Sequence, residues 1–152
     1  MNTSSELYVL FRVGTADYVL PASSVLEMES FNGATPIPGA PSHLAGLVQI
    51  RGKVIAVIDL RARFGMPATE RELDNRVVVI DHAGRRVGLL VDRAREVTKL
   101  APNAFRPAPE VVTEQARGFV KAVAEVGDRL VMLLDTDRVL TQEETNVERQ
   151  QV

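Results

Sequence analysis

The chain has 152 residues, a formal net charge of −2 and a pI near 5.7. This charge balance disfavours non-specific nucleic-acid binding, which needs clustered positive charge to displace counterions. Hydrophobic residues make up 45% of the chain, enough to build a core, and the absence of cysteine excludes disulfides and thiolate metal sites. Aromatic residues make up 5% and tryptophan is absent, a composition that disfavours base stacking and sugar binding.

The start of the sequence predicts a soluble, cytoplasmic protein. Met1 is followed by the polar residues NTSSE and not by the basic and then apolar residues of a signal sequence. No uninterrupted apolar run approaches the roughly 20 residues that a helix needs to cross a bilayer. The length predicts one compact domain or two very small domains packed together.

The first residues predict strands joined by short turns. Residues 7–13 are mostly apolar and β-prone, residues 14–17 (GTAD) are a turn signal, and residues 18–21 resume the strand. Residues 22–30 fit either a helical turn or a strand. The proline-rich residues 34–41 predict an extended path at a sheet edge or in a loop.

The stretch GLVQIRGKVIAVIDL, residues 46–60, predicts a β-hairpin with RGK at its turn. Gly52 supplies the positive φ that such a turn needs. The run VIAVI has no polar residue, so we expect this strand to be covered on both faces. Asp59 is placed to cap one helical turn that Gly65 ends.

The second half of the chain repeats this plan. Residues 76–92 predict a hairpin like that of residues 7–21, and residues 118–140 match the hairpin with its capping aspartate, here Asp135. An internal duplication with short strands throughout predicts an all-β fold of two small packed β-barrels with short helical turns. The predicted boundaries follow: first barrel 7–65, second barrel 76–142, polar tail 143–152.

The sequence lacks a constellation for catalysis, and we therefore expect no enzyme, no cofactor and no metal. His43 and His82 stand alone, without the second ligand at i+3 or i+4 that a zinc helix would show. Asp59 and Asp135 fit caps better than a catalytic pair. The serines lack a Gly-x-Ser-x-Gly elbow, namely Ser23, Ser24 and Ser42.

What remains is a candidate binding surface with two parts. Arg51 lies at the tip of its predicted hairpin, and Val25 and Glu27 lie in the VLE triplet just after the first hairpin. Each charge also has a structural interpretation. Glu27 fits an ordinary solvated carboxylate, and Arg51 fits a guanidinium held by a carboxylate of its own domain. The residues alone leave Arg51 evenly divided between a partner contact and an internal clamp.

Taken in order, the motifs resemble those of the chemotaxis coupling proteins, the CheW family, over about residues 6–142. The first half carries LFRVGTADYVLPASSVLEM and TPIPGAPSHLAGLVQIRGKVIAVIDLRARFG, and the second carries RVGLLVD, FRPAPE and LVMLLDTDRVL. The series is long and ordered, although no single piece would suffice. Two departures concern partner preference: Gln49-Ile50 stand where the family usually has Asn-Leu, and Ala56 stands where it often has Pro.

The resemblance implies a single CheW-like domain of two five-stranded, SH3-like barrels that acts as a non-catalytic scaffold. Its partners would be the regulatory domain of a CheA-type histidine kinase and the cytoplasmic tip of a chemoreceptor, whose helix enters an apolar groove between the barrels. Contacts between barrel ends would allow self-association into rings, and the protein would be recruited to receptor arrays at the inner membrane. By matching motifs, Val25, Glu27 and Arg51 fall at partner-binding positions.

Three alternatives stay open at this point. One is a coupling protein of a related pathway, with twitching motility or a second messenger as output. Another is the regulatory module of a kinase, which shares the fold. The last is of a different class, a small β-barrel enzyme or nucleic-acid binder.

Overall fold

Strands make up most of the computed structural model, which describes residues 5–110 and 118–140. In chain order the strands are β1 Glu6–Val13, β2 Ala16–Pro21, β3 Val25–Ser30, β4 Leu44–Ile50, β5 Lys53–Asp59, β6 Arg76–His82, β7 Arg85–Val91, β8 Arg93–Leu100, β9 Arg106–Pro107, β10 Val120–Val126 and β11 Arg129–Leu134. The short helices are α1 Leu60–Arg63 and α2 Thr136–Val139, and 3-10 turns lie at Ala22–Ser24 and Pro102–Ala104. The sequence of residues 22–30 fitted either a helical turn or a strand, and the structure contains both: the 3-10 turn comes first and strand β3 follows it.

The strands form two sheets, each belonging to one small barrel. The six-stranded barrel has the strand order β8-β1-β2-β11-β10-β9, and the five-stranded barrel has the order β3-β6-β7-β5-β4. The predicted all-β fold of two small barrels with short helical turns is confirmed. The sixth strand is the two-residue β9, one more than the five strands implied for each barrel.

The predicted boundaries, residues 7–65 and residues 76–142, do not coincide with the two sheets. Each sheet takes strands from both halves, because the first hairpins are exchanged. The β1–β2 hairpin of the first half lies in a sheet with strands of the second half, and the β6–β7 hairpin of the second half lies in a sheet with strands of the first half. The β1–β2 hairpin pairs with β8 and β11, and the β6–β7 hairpin pairs with β3 and β5. Periodicity in a sequence locates strands and tight hairpins, but it does not identify their long-range partners. The predicted tail, residues 143–152, lies outside the described residues.

The strand pairing supports the internal duplication. The antiparallel pair β3–β6 corresponds to β8–β1, and the parallel pair β5–β7 corresponds to β11–β2. Both antiparallel pairs contain a bulge: Leu26 is the extra residue in β3, and Arg95 is the extra residue in β8. Such bulges bend a strand, and protein families conserve them as features of the fold. The two halves therefore supply equivalent positions that can be compared residue by residue.

The core has three layers: the interior of each barrel and the region between the barrels. Most strands are therefore covered on both faces. Along β5, Ile55 and Val57 point into the five-stranded barrel, while Ala56 and Ile58 point into the core between the barrels. The prediction that VIAVI is covered on both faces is confirmed for residues 55–58, whereas Val54, the first residue of the run, is 59% exposed. Along β1, Leu10 lies inside the six-stranded barrel and Phe11 lies in the core between the barrels. The period of two residues along a strand produces this division.

The two predicted capping aspartates have that role. A carboxylate oxygen of Asp59 accepts hydrogen bonds from the backbone N–H groups of Arg61 and Ala62 at the start of α1. Asp135 makes the equivalent bonds at the start of α2. Each helix is one turn long. Within residues 5–110 and 118–140, no helix has the length and apolar character that a membrane span requires.

Candidate functional site

The β4–β5 hairpin ends in a two-residue turn that places Arg51 at its tip. Arg51 has φ of 52° and Gly52 has φ of 79°, so both residues adopt the left-handed conformation of a tight hairpin turn. The prediction that Gly52 supplies a positive φ is confirmed. For Arg51 the same conformation costs roughly 1–2 kcal/mol, because its Cβ approaches the following carbonyl oxygen. The turn of the β6–β7 hairpin imposes the same conformation on Ala83, with φ of 54°, so the positive φ of Arg51 belongs to the turn.

The Arg51 guanidinium is both exposed and held in place. Its side chain is 73% exposed, yet its Nε lies 2.6 Å from Oε1 of Glu27 and 3.3 Å from Oε2 of Glu29. Glu27 is 14% exposed, and its other carboxylate oxygen lies 3.7 Å from a guanidinium nitrogen of Arg86. Of the two interpretations of Arg51 left open by the sequence, the structure shows the internal clamp, and the partner contact stays a prediction. The clamp orients the guanidinium, and the exposed side remains available to a partner.

Strand β3 positions the carboxylates. The Ser24 hydroxyl donates a hydrogen bond of 2.9 Å to the carbonyl of Pro21, closing the 3-10 turn from which β3 begins. After the bulge at Leu26, the two-residue period of the strand directs Glu27 and Glu29 to the same face, towards the hairpin tip. Val25 pairs with Ile80 and packs, half-buried, against the core between the barrels. The structure thus brings Glu27 and Arg51 together, whereas Val25 belongs to the adjoining apolar surface.

An exposed apolar surface continues the core between the barrels to the outside. Val54 follows the same face of β5 as Ala56 and Ile58, which lie in that core, and Leu130 follows the same face of β11 as Leu134. Met28 lies opposite Val78 of that core. We call four residues, 39–65% exposed, the apolar margin: Met28, Val54, Val97 and Leu130. Exposed apolar groups beside a core are typical of interaction sites.

The apolar margin repeats in both barrels. Val54 and Leu130 occupy equivalent positions in β5 and β11, since Val54 lies opposite Gln49 and Leu130 lies opposite Glu125 in matching hairpins. Met28 and Val97 occupy equivalent positions in β3 and β8, each one residue beyond the carboxylate that follows the bulge. The duplication has therefore kept an apolar residue at both positions, although the flanking charges differ.

Sequence reasoning missed several residues of this site. Glu29 could have been found, because it lies two residues beyond Glu27 and so shares its face of the strand. Arg86 could not, because its contact with Glu27 depends on the pairing of β3 with β6 and of β6 with β7. The apolar margin also gave no signal, because its exposed members in β5 and β11 are of the same apolar types as the buried residues of those strands.

Comparison with known proteins places these features in a family. The family model described as the CheW-like domain matches residues 7–144. The chain is 32% identical to the chemotaxis protein CheW of Rhizobium meliloti over 143 residues, covering 94% of this chain and 92% of that protein. It is 28% identical to the chemotaxis protein CheW of Bacillus subtilis over 140 residues, covering 92% and 90%. Protein PilI of Pseudomonas aeruginosa is 29% identical over 82 residues, or 54% of this chain and 46% of that protein.

A solved structure agrees with the sequence relatives. The scaffolding protein TtCheW from Thermoanaerobacter tengcongensis superposes with a TM-score of 0.80 at 30% sequence identity, covering 86% of this chain and 89% of that one. The match includes both barrels, since it extends over most of each chain. This chain belongs to the CheW-like domain family.

Proposed function

We propose that the chain is a non-catalytic scaffold that couples the cytoplasmic tips of chemoreceptors to a CheA-type histidine kinase. The similarity to chemotaxis CheW proteins along nearly the whole chain supports this function. The observation that carries it at the level of the site is Arg51, whose exposed guanidinium is oriented by Glu27 on a rigid hairpin. A scaffold works by holding partners at fixed positions, and preformed barrels do so without the cost of ordering a loop.

The kinase regulatory domain binds at the surface formed by Val25, Glu27 and Arg51. Val25 contributes apolar contact, while the guanidinium and the carboxylate at the rim select the partner and fix its orientation. We expect a modest interface of roughly 800 Å² per partner, centred on apolar groups. Its affinity should therefore depend weakly on salt.

Titration of the kinase regulatory domain with the chain, repeated at several ionic strengths, tests this contact. Substitution of Arg51 by Ala should weaken binding by at least about tenfold, because a cross-interface charge pair is lost. Lys121→Ala is the matched control, since it removes an exposed cation from β10 of the other barrel. A steep fall of wild-type affinity with salt, or equal affinity of Arg51→Ala and wild type, would contradict the assignment.

The receptor tip binds along the apolar margin between the barrels. An amphipathic helix can place its apolar face against a groove lined by residues such as Val54 and Met28. The measurement is titration of a receptor-tip fragment with the wild type and with Val54→Ser and Met28→Ser. Both changes leave the buried core intact, so we expect weaker receptor binding with nearly unchanged stability. Undiminished receptor binding by the double variant would exclude this surface.

Two further parts of the proposal concern assembly and location. Equivalent barrel ends on one molecule allow contacts between copies, and rings would result if the rotation between copies closes. The protein acts in the cytoplasm and is recruited to receptor arrays at the inner membrane. Sedimentation across a range of concentrations, alone and with the kinase domain, tests the ring: a monomer under every condition would rule it out.

The pathway served by the scaffold is a separate question. The partial similarity to Protein PilI supports one alternative, a coupling protein of a related chemosensory pathway. A pull-down from the native cytoplasm, with identification of the receptors and the kinase that accompany the chain, distinguishes the two. Recovery of a chemotaxis kinase supports the first assignment, and recovery of a kinase from another sensory system replaces it.

A further inference from the structure

A second ionic cluster lies at one end of the six-stranded barrel. Leu10, Val19 and Val131 lie inside this barrel. On each of these strands, the residue two positions nearer the strand end lies on the same face and is charged. These residues are Arg12, Asp17 and Arg129. These charged side chains therefore lie where the interior of the barrel opens to solvent. We call this set, with Arg95 of the neighbouring strand β8, the arginine cluster.

Three guanidiniums of the arginine cluster surround one buried carboxylate. Asp17 is 3% exposed and accepts hydrogen bonds from Arg12 Nε at 3.1 Å and from a terminal nitrogen of Arg129 at 3.3 Å. The Nε of Arg95 lies 3.8 Å from the same carboxylate, too far for a hydrogen bond. Arg129 also lies 3.6 Å from Glu96. Three cations therefore face two carboxylates, which leaves one positive charge in excess.

The guanidiniums remain accessible although they share a buried partner. The side chains of Arg12, Arg95 and Arg129 are 30–32% exposed. Each guanidinium has five N–H donors, and the two oxygens of Asp17 cannot accept from all of them. The same strands also bring Arg93 directly opposite Arg12 across β1–β8, and each of the two has its own carboxylate, since Arg12 pairs with Asp17 and Arg93 lies 3.5 Å from Asp74.

The fold itself does not require this cluster. The equivalent residues can be read from the pairing of the other barrel: Asp81 pairs with Arg86 as Arg12 pairs with Asp17. The acidic and the basic residue of that pair have thus exchanged positions. Lys53 takes the place of Arg129, and Leu26 takes the place of Arg95 at the bulge. The five-stranded barrel forms without a buried carboxylate at that pair, so the arginine cluster is particular to the six-stranded barrel and is not a requirement of the barrel architecture.

We propose that the arginine cluster is a second docking surface, which binds the carboxylate side chains of an acidic protein segment. The planar guanidinium matches a carboxylate in a bidentate geometry. The single excess charge and the central Asp17 suit an extended row of separate carboxylates better than a compact dianion such as phosphate. This surface is distinct from the Arg51 site, on the other barrel, and the inference does not depend on the proposed function.

An octaglutamate peptide is a suitable probe, because it carries the proposed chemistry without a particular partner's sequence. The experiment follows the Nε–H resonances of the arginines by NMR while the full chain is titrated with the peptide. We expect the resonances of Arg95 and Arg129 to shift, and that of Arg51 to stay in place. Shifts confined to Arg51, or no shift at low ionic strength, would overturn the proposal.

Variants separate docking from folding. Arg95→Glu is the test variant, because its guanidinium makes no hydrogen bond to Asp17 and the pairs with Arg12 and Arg129 remain. We expect it to bind the peptide at least about tenfold more weakly, since a favourable charge contact becomes repulsive. Lys53→Glu is the matched control, with the same change of net charge in the other barrel. Equal weakening by both variants would show a response to net charge alone and would overturn the site.

Two further measurements complete the test. Arg95→Gln should melt near the wild-type temperature and show an intermediate peptide affinity, whereas Arg95→Glu should melt lower, because its carboxylate would lie near that of buried Asp17. Inorganic phosphate at equal charge concentration should shift the cluster resonances much less than the peptide does. If phosphate binds as strongly as the peptide, the cluster is an unspecific anion site and the assignment to acidic protein segments is wrong.

Discussion

The Nε atom of Arg51 lies 2.6 Å from Oε1 of Glu27, and the backbone that carries this guanidinium has φ of 52°. The contact joins the tip of the β4–β5 hairpin to strand β3. Exposed ion pairs contribute only about 0.2–1 kcal/mol to stability. This gain does not exceed the cost of the left-handed backbone, which the two-residue turn imposes on Arg51 as it does on Ala83, so the ion pair adds little to the stability of the fold.

Replacement of Arg51 should therefore separate folding from partner binding. We expect Arg51→Ala to change the free energy of unfolding by less than about 1 kcal/mol, since only an exposed ion pair is lost. Arg51→Gly should be at least as stable as Arg51→Ala, because glycine adopts φ of 52° without strain. Both variants should lose kinase binding equally. Chemical denaturation and calorimetric titration measure the two effects.

Gly52→Val is the matched control for the turn. A Cβ atom at Gly52 would have no heavy atom within 4 Å, so the cost comes from the backbone at φ of 79° alone. We expect a loss of about 1–3 kcal/mol of stability. If Arg51→Ala instead destabilises the protein as much as Gly52→Val and retains kinase binding, Arg51 is an internal clamp.

Local features of the fold were predictable because they depend on neighbouring residues. The glycine at the hairpin turn, the capping role of Asp59 and the coverage of residues 55–58 on both faces all follow from short stretches of sequence. The exchange of first hairpins was not, because β1 and β6 have the same strand pattern and could pair with either half. Hydrophobic periodicity is the same in both arrangements.

The candidate site was predictable to a similar extent. The family motifs carry Val25, Glu27 and Arg51, but the contact of Glu27 with Arg86 requires the strand order. In the sequence, Asp17 is recognisable only as part of the turn signal at residues 14–17. Its burial among three arginines depends on β1, β8 and β11 meeting at one barrel end, which no local pattern encodes.

The packing inside the five-stranded barrel predicts a specific rescue. A Cβ atom at Gly88 would lie 2.6 Å from Cγ1 of Val77 and 3.1 Å from Cγ2 of Val57. Gly88→Ala should therefore cost about 1–3 kcal/mol through overpacking. Val77→Ala removes the closest methyl groups, so the double variant should be less destabilised than the sum of the single variants by about 0.5 kcal/mol or more. Additive losses in denaturant unfolding would show that the strand moves instead.

Asp92 should act as a clamp between the two barrels. It lies between β7 and β8, accepts a 2.7 Å hydrogen bond from the Gly14 N–H, and forms a bidentate pair with Arg61 at 2.9 Å. We expect Asp92→Asn to lower stability by about 1–3 kcal/mol, since charge-assisted bonds are lost. Asp74→Asn is the control, because Asp74 is exposed and its nearest cation is 3.5 Å away. Equal stability of the two variants would refute the clamp.

Tyr18 should ionise at higher pH than a free tyrosine. Burial in the core between the barrels raises the pKa of Tyr18 above its ordinary value of 10.0. A raised pKa in the folded state means that the neutral hydroxyl stabilises the fold below pH of about 10, and that this contribution is lost as pH rises through the folded-state pKa. Ultraviolet titration of the wild type and Tyr18→Phe checks the shift. A Tyr18 that ionises at or below pH 10 would contradict its burial.

The most direct test of the coupling function is a reconstitution with three components. Receptor-tip assemblies on vesicles are mixed with a CheA-type kinase, with or without the chain, and both co-sedimentation of the kinase and its autophosphorylation rate are measured. We predict that the kinase sediments with the receptors and is activated only when the wild-type chain is present, and that Arg51→Ala loses both effects while remaining folded. Equal sedimentation and activation of the kinase without the chain would contradict the proposed scaffold.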